Sequence, residues 1–304
     1  MKISVIIPAY NAERYIGKAI ESCLSQTYAP HEIFVVDDAS TDGTAAVAES
    51  FPSPVRVIRM ARNMGVSVAR NLGVQASTGD WIAFLDADDW FFPEKLELQR
   101  QCALQNPQAV LIYTGYQMID IDGSESYGRF VSPSELWPML RYRCAFLLST
   151  VILRRDAFDS VGGFDPAYHV IQDWDLWLRF AARYSVKLFV ALPQPLVVYR
   201  RVAESLTASI TKYFHQQILL IESSCLLGTS GISRFLWRRR IFAFSYYDTS
   251  IALREGGSLL DLQFILKSIV LWPVPWTEMS MKRYKVAAVM VRQHLFNRFF
   301  GRDF

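Results

Sequence analysis

Three carboxylates crowd the end of the segment WIAFLDADDW: Asp86, Asp88 and Asp89. The apolar run before them has the length and composition of a buried strand, so the acidic group sits where that strand emerges. Like charges this close repel unless a cation or hydrogen-bond donors offset them. Water alone would make the segment an ordinary acidic turn. A divalent ion shared with a phosphate-bearing ligand fits the pattern better, because Mg2+ or Mn2+ takes one or two protein carboxylates and fills its shell from a diphosphate. Such an ion is a Lewis acid for a departing nucleotide. Phosphatases that use D-x-D-x-[TV] also place a nucleophilic aspartate at a strand end, but Asp89 and Trp90 do not fit that pattern.

A second acidic turn, DDASTDGTAAVAE from Asp37 to Glu49, copies the spacing of a calcium loop from Asp38 onward. A calcium loop of that kind leaves a helix, whereas the preceding HEIFVV reads as a strand. The carboxylates are therefore expected just past a strand's carboxyl end, where open α/β sheets bind ligands. The segment SVIIPAYNAERYI puts Pro8, Tyr10 and Asn11 in the equivalent place on the first strand. Neighbouring parallel strands would then offer a nucleotide base an aromatic ring at Tyr10 and a carboxylate acceptor for its N–H.

The elements that must hold these residues can be read from periodicity. ISVII, EIFVV, VRVI and WIAFL are strand-sized, and helical patterns lie between them. Ile16, Ala19, Ile20, Cys23 and Leu24 recur at helical spacing behind Asn11, which is placed to cap them. In GVSVARNLGVQAS, Val66, Ala69, Leu72 and Ala76 share a face. This alternation implies right-handed crossovers and a mostly parallel sheet, an α/β fold. FFPEKLELQRQCALQ, entered through Pro93, and DWDLWLRFAARY read as further helices, while AVLIYTGYQMI and STVILRR read as strands. Beyond about residue 210 the pattern is helical. The expected division is a nucleotide-binding half over 1–115, a less regular half over 116–209 and a helical extension over 210–304.

The chain of 304 residues is 51% hydrophobic and 20% charged, which indicates a globular protein with a full core. Its four cysteines show no C-x-x-C spacing and read as reduced thiols. MKISVIIPAY has too short an apolar run for a signal peptide, and no stretch is long and apolar enough to span a bilayer, so a cytoplasmic location is expected. Charge is uneven: residues 211–304 carry 13 Lys and Arg against 6 Asp and Glu, leaving the first 210 residues negative. No nucleic-acid motif accompanies the basic third.

Taken together, SVIIPAYNAERYIGKAIESCLSQTY, EIFVVDDASTDGT, RNMGVSVARNLGVQASTGDWIAFLDADDW and QDWDLWLR resemble the family 2 glycosyltransferases of the GT-A fold, collinearly over roughly residues 3 to 205. The resemblance implies inverting transfer of a sugar from a nucleotide diphosphate donor to an acceptor hydroxyl. Pro8, Tyr10 and Asp38 would bind the nucleoside, most often uridine, and Arg70 would lie near the phosphates. Asp86 and Asp88 would serve ribose and metal, with Asp89 an alternative ligand. Asp173 matches the family's catalytic base, and its place in the first turn of a helix favours the ionised form. Asp175 is better placed to pair with Arg179.

The chain departs from the family pattern in two places. Gln172 stands where the family commonly has Glu, and Val202 stands where a His is frequent in VVYRRVAESLT; Arg200 and Ser205 remain able to touch phosphate. Gly162 and Gly163 of GGFD match an acceptor-side loop or make an ordinary turn. Trp174 and Trp177 flank Asp173 and could stack on sugar, although their spacing with Leu176, Leu178 and Phe180 also suits a core. The mixture of Arg, Lys, Trp and Phe in SRFLWRRRIFAF and MKRYKVAAVMVRQHLFNRFF suits either packing or a helix lying on an anionic membrane surface. Related enzymes often act on lipid-linked intermediates of surface polysaccharides, which would place the chain at the inner face of the membrane. One rival is a sugar-1-phosphate nucleotidyltransferase, whose Gly-rich basic loop is missing from PAYNAERYIG. The other is a non-catalytic nucleotide-sugar-binding module.

Overall fold

A computed structural model describes residues 1–201, 210–221, 230–255, 261–273, 282 and 284–290. The chain divides into two compact units, Met1–Leu206 and Thr207–Phe304.

The first unit is built on a nine-stranded sheet: β1 (Ile3–Ala9), β2 (Glu32–Asp37), β3 (Val55–Arg59), β4 (Trp81–Phe84), β5 (Trp90–Phe91), β6 (Leu111–Ile119), β7 (Glu125–Tyr127), β8 (Val151–Arg154) and β9 (Phe189–Arg200). Its order is β3-β2-β1-β4-β8-β6-β9-β5, with β7 on the edge of β6. β1 pairs in parallel with β2 and β4, and β2 with β3. β8 runs antiparallel between β4 and β6, and β6 resumes parallel pairing with β9. The expected mostly parallel α/β sheet with flanking helices is therefore present, with antiparallel strands at β5, β7 and β8.

Packing follows the sequence pattern in the strands and in the first helix, while the Val66–Ala76 helix buries Ser67, Arg70, Gly73 and Val74 with Ala69 and leaves Ala76 exposed. Every residue of β1, β2 and β4 is buried, as strands covered on both faces require. Helices α1 (Ile16–Leu24), α2 (Thr44–Glu49), α3 (Val66–Ala76) and α4 (Lys95–Gln105) supply that cover. The apolar face of α1 buries Ile16, Ala19, Ile20 and Cys23. Helices α5 (Pro133–Leu140), α6 (Arg155–Ser160) and α7 (Gln172–Arg183) complete the unit. α5 begins with a capping box in which Ser132 and Glu135 satisfy each other's backbone. Chain order reverses direction across the sheet between β1 and β4, the switch point beside which α/β sheets place ligands.

The second unit contains helices α8 (Ile210–Leu220), α9 (Gly231–Glu255) and α10 (Asp261–Leu271). Arg239 of α9 donates to the Leu271 carbonyl at the end of α10 (2.9 Å). Ser268 packs its hydroxyl onto the Ala243 carbonyl. Among the described residues no helix is long and apolar enough to cross a membrane. Val202 and Ser205 lie outside the described residues, as does most of MKRYKVAAVMVRQHLFNRFF.

Candidate active site

Two strand-end turns interlock at the carboxyl edge. Asn11 and Ala39 both have left-handed backbones, φ 49° and 60°. Asn tolerates this conformation, whereas Ala adopts it at a cost of about 1 kcal/mol or more, a strain placed directly after Asp38. The Asn11 N–H donates to Ser40 Oγ (2.9 Å), and its Oδ1 accepts from the Thr41 N–H (2.9 Å). Asn11 thus joins β1 to β2 instead of capping α1, which starts after Tyr15 without a side-chain cap. Asp42, part of the calcium-like spacing, accepts from the backbone of Thr44 and Glu13. Pro8 is buried within β1 opposite Val36. Tyr10 leaves its side chain half exposed above this edge, at 51%.

Asp38 is buried and accepts from the backbone N–H groups of Met64 (2.7 Å) and Gly65 (2.8 Å). It therefore fixes the loop that opens α3, the helix carrying Arg70. Gly65 has φ +90°, and a Cβ there would come within 3.4 Å of the His169 ring, so the loop needs glycine to close against the residues leading into α7.

Arg70 is the centre of the arrangement. Its side chain is buried, its Nη2 meets Asp86 Oδ1 at 2.5 Å, and its guanidinium lies 5.3 Å over the Phe164 ring. Nε and Nη1 are buried without a partner. Gly163, with φ +69°, turns the chain so that Phe164 arrives under Arg70, and Asn71 clamps Phe164 through both its N–H and its carbonyl. A Cβ on Gly163 would sit 2.8 Å from Asn71 Oδ1. Gly163 is here a tight packing turn.

The three carboxylates of the β4 turn have separate environments. Asp86 pairs with Arg70 and donates its N–H to Ser149 Oγ (3.2 Å). Asp89 is buried and accepts from Ser149 Oγ (2.7 Å) and the Arg200 N–H (3.1 Å), so it ties β4 to β9. Burial, then the charges of Asp86 and Asp88, push its carboxyl well up. Its carboxylate is thus turned inward onto Ser149 and β9. Among the described residues Asp88 is held by its own backbone N–H alone; burial, then Asp86, push it up to about 6, against the pull of Arg200 and Arg70. Arg200 lies over the Tyr15 and Trp90 rings, with its Nε buried and unpartnered.

A divalent ion fits this donor set. Asp88 is a raised, lightly bonded carboxylate beside a second carboxylate, and a cation between them would relieve their repulsion. Among the described residues no group of three or more His, Cys, Asp or Glu forms a cage.

Asp173 opens α7. Its Oδ1 accepts from the Trp174 N–H (2.7 Å), and its Oδ2 faces Cys144 Sγ at 3.4 Å. Burial raises its carboxyl above the ordinary range despite the Trp174 N–H and the Arg70 charge, while Asp86 raises it further. The helix terminus was expected to keep it readily ionised; desolvation outweighs that effect. Arg70 and Asp86 therefore act on Asp173 as well as on Asp88. Asp175 is buried and accepts from Arg179 Nε (2.8 Å), the pairing expected from their spacing. Trp174 and Trp177 are fully buried, and Trp174 donates Nε1–H to the Leu140 carbonyl (2.6 Å). Both are core residues with no ring face left for a sugar. Ser149 and Cys144 carry no motif in the sequence, because their roles come from contacts with distant segments.

Surface cavities of about 620 and 510 Å³ lie elsewhere: one at the amino ends of β1 and β4 near Met1 and Trp81, the other beside Val74 and Phe158. Neither includes the β4 acids, so the chemistry marks the site better than cavity size.

Residues 4–162 match Glycosyl transferase family 2. The chain belongs to this family. Glycosyltransferases of Rickettsia typhi and Haemophilus influenzae, neither characterised, are 33% and 32% identical to it over 199 and 181 residues. Those matches cover 60% and 58% of this chain, and the chain spans about 60% of the length of both relatives. Residues 1–349 of S. aureus TarS in complex with UDP-GlcNAc share the fold, with a TM-score of 0.66 at 17% identity over 97% of this chain and 92% of that TarS portion. The mannosyltransferase PcManGT from Pyrobaculum calidifontis, in complex with GDP-Man and Mn2+, has a TM-score of 0.56 at 17% identity, covering 98% and 87%. These structures share the GT-A architecture, and within the family-matched span lie the β1, β2 and β4 turns.

Proposed function

We propose that this family 2 protein is an inverting glycosyltransferase that moves a sugar from a nucleotide diphosphate donor, UDP-linked by preference, to an acceptor hydroxyl. The observation that carries the reading is the buried Arg70, with two unpartnered guanidinium nitrogens, acting on Asp86, Asp88 and Asp173 at once. A buried cation with free donors is prepared for an anion such as a diphosphate. Tyr10 and Asp38 would receive the nucleoside, Asp86 the ribose, and Asp88 a Mg2+ or Mn2+ ion. When bound, that ion would supply Lewis-acid charge to the departing diphosphate. TarS with UDP-GlcNAc and PcManGT with GDP-Man and Mn2+ support this donor chemistry for the fold.

Asp173 would take the acceptor proton. Its raised affinity for a proton makes it a stronger base than an exposed aspartate. Deprotonating the hydroxyl on the face opposite the leaving group would give inversion. Arg200 would reach the phosphates.

The acceptor we propose is a glycan or lipid-linked glycan of surface polysaccharide synthesis, met by a cytoplasmic enzyme at the inner face of the membrane. Helix α9 supports this reading, since Ile232, Phe235 and Leu236 are exposed beside Arg234 and Arg238. A thermal-shift screen of nucleotide sugars with and without Mn2+ tests the donor. A UDP-sugar should raise the melting temperature more when Mn2+ is present. No shift with any nucleotide sugar would contradict the reading.

A further inference from the structure

Asp173 is faced by Arg70 from α3, Asp86 from the β4 turn and Cys144 from the loop after α5. The Trp174 N–H occupies Oδ1, and the Cys144 thiol is the group at Oδ2. Cys144 has a second acceptor within reach, the Phe146 carbonyl at 3.3 Å. One S–H proton can serve only one of these acceptors at a time. An ionised carboxylate is the stronger acceptor of the two, and a protonated one is weaker.

We propose that Cys144 is a positioning residue for the base: its S–H donates to Oδ2 while Asp173 is ionised and turns to the Phe146 carbonyl once Asp173 holds the acceptor's proton. This inference rests on the reading of Asp173 as base. The hydrogen bond holds Oδ2 in one orientation before transfer and moderates its basicity; the turn of the thiol then leaves the new carboxyl proton unopposed. No bond to sulfur forms or breaks, and the only proton transferred is the acceptor's. Burial and the Asp173 charge push the thiol well up, so it remains an S–H donor throughout the working pH range. On its other side Cys144 is near Tyr116 and Arg143, and Tyr116 is itself pushed up by burial, so it is a neutral neighbour.

The test uses the full chain with 13C-labelled aspartate carboxyls and needs no substrate. The Asp173 resonance is assigned by its loss in Asp173→Asn and titrated in wild type, Cys144→Ser and Cys144→Ala. Alanine should raise the Asp173 midpoint by about half to one pH unit, because the ionised form loses a donor. Serine keeps a donor of similar reach and should hold the midpoint at or below the wild-type value. Melting temperatures check that both variants are folded. A midpoint unmoved in Cys144→Ala, or raised equally in both variants, would overturn the inference. Turnover by Asp173→Asn separates the two readings: lost turnover with an unmoved midpoint removes the role of Cys144 and leaves the base in place, whereas retained turnover removes the base itself.

Discussion

Asp88 and Asp89 are adjacent in sequence and opposite in environment. Asp89 is consumed by Ser149 and the Arg200 backbone, while Asp88 keeps its carboxylate available at an energetic cost set by burial and by Asp86. That contrast gives a prediction at this scale. Asp88→Asn removes an unfavourable charge and should stabilise the metal-free protein by about 1 kcal/mol, read as a higher urea midpoint, while abolishing any Mn2+-dependent thermal shift with nucleotide. A second prediction concerns Arg70. Arg70→Ala strands Asp86 and removes the anion donors, and calorimetry should show nucleoside diphosphate binding weakened by about 10- to 100-fold. Arg70→Lys restores charge without the fork and should recover only part of the loss.

Among the elements, α4 is tied to the sheet by one buried polar chain. Lys95 is fully buried, donates to Gln99 Oε1 (2.8 Å) and lies 4.1 Å over the Phe91 ring; Gln99 donates to the carbonyls of Ile112 and Thr150. Burial lowers the lysine from 10.5 to about 7. Between those values the unfolded chain binds the extra proton, so Lys95 makes stability rise with pH above about 7. Burial raises Cys23 from 9.0 to about 12, with the opposite sign but only above pH 9, which leaves pH 7 to 8.5 clear. Over that interval the wild type should gain about 1–2 kcal/mol relative to Lys95→Met, measured by urea unfolding at both pH values. A flat difference would place the lysine's proton elsewhere. The elements themselves were legible in the sequence where period and burial coincide, as at Ile16, Ala19, Ile20 and Cys23 of α1; α3 instead buries Ser67, Ala69, Arg70, Gly73 and Val74, leaving Ala76 of its expected face exposed, because the site draws Arg70 inward. The turns were less legible. Asn11 looked like a helix cap because capping residues and left-handed turn residues are the same types. Asp173 looked readily ionised because a sequence displays the helix start but not the desolvation around it. Ser149 and Cys144 contact acids 60 and 29 residues away, and no local pattern encodes such pairs.

For the whole molecule, the first unit by itself carries the acidic turns, Arg70 and Asp173. The second carries an exposed apolar and basic start to α9, and its prediction is separate: the full chain should sediment with vesicles containing anionic lipid more than with neutral ones, and Phe235→Glu should weaken that binding. Equal sedimentation with both vesicle types would remove the membrane reading and leave the catalytic one untouched. The central claim is that the groups around Arg70 grip a diphosphate opposite a proton acceptor. It is tested most directly by comparing nucleoside diphosphate release from a donor sugar by wild type and Asp173→Asn, with UDP binding measured on the same samples. The account predicts UDP affinity within about two-fold and release slowed by at least about 100-fold. Release at the wild-type rate, or loss of UDP binding together with turnover, would contradict it.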